Sequence, residues 1–157
     1  QFGSGATTYP TCTAPVVNIY LQSPNYNNGQ LKSYAELPYM SVKQTEPVTI
    51  SWNSTNANTN CTASIPAQLP NGKPTPPNII STWVGSNGNK PNSGSQALPQ
   101  LVTIGTYPFT LTCYNPWNNA ITTSSTINLI IEQLQKPYIQ TTGGDVHTNE
   151  SIYIPQN

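Results

Sequence analysis

Alternation of apolar and polar residues is the dominant pattern along this chain. In residues 106–114, Tyr107, Phe109, Leu111 and Cys113 fall on one face and Thr106, Thr110 and Thr112 on the other. That is the period-two signature of a strand with one buried face. Val48, Ile50 and Trp52 alternate in the same way, as do Val17, Ile19 and Leu21 near the start and Ile127, Leu129 and Ile131 near the end. Weaker patterns predict further strands at 39–43, 61–65 and 79–84, the last carrying Ile80 and Trp83. Residues 97–104 lead across Gly105 into the strand at 106–114. The total is about seven to eight strands at the spacing of a β-sandwich.

The punctuation agrees. Sixteen prolines and ten glycines, spread over the whole length, leave no window for a long helix. Residues 23–29 are turn chemistry, and 31–45 form an irregular excursion around the short strand at 39–43. Residues 66–77 carry Pro66, Pro70, Pro74, Pro76 and Pro77, which predicts an extended surface loop, and 85–94 read as a second exposed loop. A length of 157 residues suits one domain. The expected organisation is an N-terminal arm over 1–14, a sandwich over 15–135, and a C-terminal arm or inter-module segment over 136–157.

Charge narrows the classes of partner. Five lysines balance five acids and arginine is absent, so no basic face exists for phosphate backbones and no nucleic-acid partner is expected. Polarity comes from 19 asparagines, 21 threonines and 14 serines, a neutral hydrogen-bonding surface that suits a cell surface or a secreted fibre. No run approaches the ~20 apolar residues of a membrane span. The chain starts at Gln1, as expected of a mature product after signal removal or of a trimmed chain, and an extracellular or cell-surface location is expected. There its cysteines are expected to be oxidised. Three cysteines allow three pairings.

The run Pro47-Val48-Thr49-Ile50-Ser51-Trp52, then Cys61-Thr62-Ala63-Ser64, Trp83, Gly85, Gly94-Ser95 and finally Tyr107-Pro108-Phe109-Thr110-Leu111-Thr112-Cys113 resembles the immunoglobulin-like domains repeated in bacterial surface proteins. The resemblance spans 15–132. It implies an all-β immunoglobulin-like sandwich, a Cys61–Cys113 disulfide and a modular extracellular setting. It implies no catalytic residues, no cofactor and no metal. The long excursion over 24–46, the proline-rich loop and Cys12 depart from the family pattern.

Candidate chemistry is sparse. Cys12, the third cysteine, is a candidate for an intermolecular bond or a small buried residue. Asp145 and His147 fall on one side of an extended segment, with no nucleophile signalled nearby. Lys43, Asn128 and Glu132 sit on or near the first and last strands, where similar surface sandwiches sometimes carry a Lys–Asn crosslink; solvated side chains are the simpler reading. Asn53 and Asn149 match the glycosylation acceptor pattern, and Asn60, beside a cysteine, matches it less well. Trp117 and Tyr114, with Trp83 and Tyr138, are candidates for an aromatic platform for sugar rings.

Two functions are therefore expected. The first is a non-enzymatic structural subunit of a pilus-like surface filament, built when one copy's arm adds a strand to the next copy's sheet. Tyr138, Ile139, Val146, Ile152 and Ile154 would then be the donor-arm anchors, and the partners would be copies of the same chain or neighbouring modules. The second is a module of a larger bacterial adhesin that binds a glycan or a host surface protein through its loops.

Overall fold

The computed structural model describes residues 12–24, 32–33, 38–58 and 60–134. In chain order these form β1 (Val16–Gln22), β2 (Lys32–Ser33), β3 (Tyr39–Lys43), β4 (Thr49–Thr55), β5 (Asn60–Ser64), α1 (Pro77–Trp83), β6 (Asn89–Pro91), β7 (Ser93–Ala97), β8 (Gly105–Tyr114) and β9 (Thr122–Glu132). Two sheets result, a four-stranded one ordered β2-β1-β4-β7 and a five-stranded one ordered β3-β9-β8-β5-β6. All neighbours are antiparallel except β3 and β9, which run parallel from Tyr39 opposite Asn128 to Lys43 opposite Glu132.

The alternating residues form the core. Val17, Ile19, Leu21, Ile50 and Trp52 from the first sheet meet Tyr107, Phe109, Leu111, Ile127, Leu129 and Ile131 from the second, all buried. Outward positions carry hydroxyls and amides that pair across strands. Thr110 bonds Thr126 and Thr112 bonds Ser124, each at 2.7 Å, and Asn18 Nδ2 donates to Asn53 Oδ1 at 3.0 Å. The asparagine and threonine content thus decorates the outer faces of the sheets.

Residues 79–84 do not form a strand. They belong to α1 and its C-terminal cap, and the buried pair is Ile79 with Trp83 rather than Ile80 with Trp83. The spacing of four is the helical one. Pro77 suits a first helical position, where a missing N–H costs nothing, and Gly85 at φ +69 accepts the left-handed turn just past the end. Trp83 then plugs the core between the sheets, edge-on to Trp52 at 5.5 Å and to Phe109 at 5.7 Å between ring centroids. Both buried indoles are satisfied, Trp83 Nε1 donating to the Ser64 carbonyl and Trp52 Nε1 to that of Pro91.

The two loops expected to be exposed are also partly structured. Within 66–77, Leu69 and Thr75 are buried, the Thr75 hydroxyl donating to the Pro66 carbonyl at 2.6 Å. Residues 85–94 contain β6 and the start of β7, where Gly94 lies flat against Trp52. Both segments close the core beside α1, which burial requires and composition does not reveal.

The Cys61–Cys113 disulfide is formed and buried. The two cysteines are direct partners on β5 and β8, so the bond lies within the five-stranded sheet, with its sulfurs turned into the core. The Ser54 hydroxyl, from the opposite sheet, approaches Cys61 Sγ at 3.6 Å.

Candidate functional site

Register defines two ends. Val16 pairs with Thr55, and the backbone N–H of Asn58 donates to the Tyr114 carbonyl at 2.6 Å, so the starts of β1 and β9 and the ends of β4 and β8 share one end, here called upper. Gln22, Thr49, Lys43, Glu132 and Gly105 lie at the lower end.

On one flank the described residues cover only half of each sheet edge. β3 covers β9 from Asn128 to Glu132, leaving 122–127 with no partner on that side among the described residues. In the facing sheet, β2 covers β1 at Tyr20 and Leu21, leaving 16–19 likewise uncovered. Both open halves are at the upper end. Open ladder groups are competent to pair with another strand. On the inward face of β9 there, the buried Ser125 hydroxyl has no hydrogen-bond partner among the described residues.

The upper end also carries the loop 115–121. Asn115 is buried and organises it: its Oδ1 accepts from the N–H groups of Trp117 and Asn118, and its Nδ2 donates to the Thr13 carbonyl. Pro116 and Trp117 are thereby pushed outward, Trp117 being 70% exposed. Trp117 lines a small hollow of about 70 Å³ with Thr13, Asn56, Asn115 and Pro116. Tyr114 lines a different one of about 240 Å³, with Asn58, Asn60, Thr62, Asn89 and Asn119. The two aromatics thus share an end but not a hollow, and Trp83 is in the core. Period-two alternation placed Tyr114 outward; nothing local indicated that Asn60, Thr62 and Asn89 would gather beside it, because β5 and β6 meet only through register.

Lys43 and Glu132 are exposed strand partners and form an ion pair, with the Ser41 hydroxyl also donating to Glu132 at 2.5 Å. These donors hold the Glu132 carboxyl below its usual value. Asn128 registers with Tyr39, at the far end of β3 from Lys43. Lys90 is half-buried over Trp52 and Trp83, at 5.4 and 5.2 Å from their ring centroids, and donates to Gln96 Oε1 at 2.8 Å. Burial lowers its pKa.

Cys12 is exposed and outside the disulfide. Asn53 is exposed within β4, bonded to Asn18 and Tyr20. Asp145, His147, Asn149, Tyr138, Ile139, Val146, Ile152 and Ile154 lie outside the described residues. Among the described residues there is no cluster of three metal-ligating side chains, and no helix is long and apolar enough to cross a membrane. No protein-family model, curated protein or solved structure matches the chain.

Proposed function

We propose that this chain is a non-enzymatic extracellular structural protein, an immunoglobulin-like subunit of a pilus-like cell-surface filament assembled by strand addition. The flank at the upper end, half uncovered among the described residues, carries this reading. After Glu132 the chain leaves β9 at the lower end, and the segment 135–157, at roughly 3.3 Å per extended residue, can span well beyond one sandwich. In a head-to-tail row, the lower end of one copy meets the upper end of the next. A strand bearing Tyr138, Ile139, Val146, Ile152 and Ile154 then has an edge to join. Such a contact is heterologous and repeats without closing.

Three features support the immunoglobulin-like reading. β3 runs parallel to β9 at the edge of one sheet, and β4 pairs with both β1 and β7 in the other. Tyr107, near the start of β8, donates its hydroxyl to the Thr103 carbonyl at 2.8 Å, a bond resembling a tyrosine corner although Tyr107 stands further ahead of Cys113 than the two residues of that motif. The disulfide departs further: immunoglobulin domains bridge their two sheets with it, whereas here it joins neighbours in one sheet. The buried disulfide fits an oxidising, extracellular location.

The test is the assembly state of the whole chain and of two variants, read by negative-stain microscopy and size exclusion. Filaments are expected from the full chain. Monomers of unchanged circular dichroism are expected after removal of 137–157, and from Ile152→Asp combined with Ile154→Asp. Filaments that persist after the deletion, or a full chain that stays monomeric, would refute the proposal.

A further inference from the structure

We infer that the hollow lined by Tyr114 and the asparagines is a binding site for a neutral carbohydrate. It lies on the outer face of the five-stranded sheet at the upper end. Because Cys61 and Ala63 point inward on β5, Asn60 and Thr62 point outward; on β8 the inward Cys113 leaves Tyr114 outward. Asn89 faces Thr62 across β5 and β6, and Asn58 and Asn119 wall the hollow from the two upper loops.

The lining selects a chemistry. No lysine, aspartate or glutamate is among the described lining residues, so an ionic ligand finds no counter-charge in them. Each asparagine offers donors and acceptors in one plane, matching adjacent hydroxyls that do both. The Tyr114 ring adds a flat apolar surface for the C–H face of a sugar ring, beside a phenol that can hydrogen-bond. A volume of about 240 Å³ falls under the ~300–1,000 Å³ of drug-sized sites, which leaves room for one or two rings.

Three of the amides are also uncommitted. Elsewhere asparagine side chains hold the fold: Asn71 donates to the Ile104 carbonyl, Asn87 accepts from the Asn89 N–H, and Asn118 from that of Ala120. The side chains of Asn60, Asn89 and Asn119 have no such partner among the described residues. Exposed amides with no structural duty, gathered around one aromatic ring, are what a polyol site requires. An affinity on the order of 1 mM is expected for so open a site. Repetition along a filament would raise it by avidity, but the site is complete within one copy.

The experiment is saturation-transfer NMR with the full chain and a panel of neutral hexose and N-acetylhexosamine oligosaccharides, with sialylated and sulfated glycans alongside. Binding to neutral members is expected, unchanged in about 0.5 M salt because no charge takes part. Asn60→Ala combined with Asn89→Ala should weaken it about tenfold or more through lost hydrogen bonds. Both positions are exposed, so the fold survives, as circular dichroism will check. Tyr114→Ala should do the same, and Trp117→Ala, in the other hollow, should leave binding intact. No neutral glycan bound, binding confined to anionic glycans, undiminished binding in the double asparagine variant, or loss with Trp117→Ala would each overturn the assignment.

Discussion

Cys61 and Cys113 face each other across adjacent antiparallel strands with their Cα atoms 4.3 Å apart. That is the closer of the two spacings an antiparallel ladder offers, the non-hydrogen-bonded pair. The bond therefore fastens β5 to β8, and through 52 positions of sequence it fixes the loop that contains α1, β6 and β7.

Opening it should be costly. Closing a loop of that size contributes about 4 kcal/mol in the chain-entropy model. Cys61→Ala combined with Cys113→Ala should lower the melting temperature by on the order of 10 °C. An unchanged melt would contradict the structural role. Without denaturant, iodoacetamide should label Cys12 alone, which peptide mass mapping will read.

Gly94 has no room for a side chain. A Cβ there would lie 2.5 Å from Trp52 Cζ2, and the indole cannot retreat because Trp83 stands edge-on behind it. Gly94→Ala should destabilise by about 1–3 kcal/mol, as overpacking of cores does. Ser95→Ala, exposed one residue along β7, should leave the denaturant midpoint unchanged.

Lys90 gives the alkaline side a definite sign. Burial pulls its pKa below 10.5, while the two indoles and Gln96 favour the charge without reversing that direction. Between the folded value and 10.5 the unfolded chain holds more protons, so this group makes stability rise with pH across that window. Tyr107 acts oppositely, since burial pushes its phenol up and its contribution fades as pH passes the folded value. Stability measured in a Tyr107→Phe background should rise with pH there, and Lys90→Met should abolish the rise. A rise that survives Lys90→Met would show that the amine is not its source.

Glu132 governs part of the acid side. Its hydrogen bond from Lys43, then that from Ser41, hold its carboxyl below 4.5, so its contribution is present above that value and disappears as pH falls through the lowered one. Lys43→Met should make the low-salt melting temperature less sensitive to pH below about 5. About 1 M salt should shrink the difference, because both groups are exposed.

Most of the sandwich was legible because each strand buries one face, and alternation reports that directly. Val48, Ile50, Trp52, Tyr107, Phe109 and Leu111 are all buried as their pattern requires. The disulfide followed from the family resemblance, although its confinement to one sheet did not. α1 was misread because its two buried residues, Ile79 and Trp83, are too few to show a period, and the neighbouring β-branched Ile80 favoured a strand. Gly94 looked like a loop glycine, since its reason for being glycine is a tryptophan 42 positions away in sequence, brought beside it only by strand pairing. The hollow itself was not legible: Tyr114 was a candidate only within an aromatic platform shared with Trp117, and its amide neighbours come from separate stretches that only tertiary pairing unites.

The direction of β3 relative to β9 has a mechanical consequence. The chain enters at the upper end of β1 and departs from the lower end of β9, while β3 and β9 descend side by side. Tension drawn along the backbone therefore slides these two strands lengthwise instead of peeling them apart. All the rungs between Tyr39 and Lys43 must yield together under such a pull, so the body should resist stretching far better than its modest core would imply.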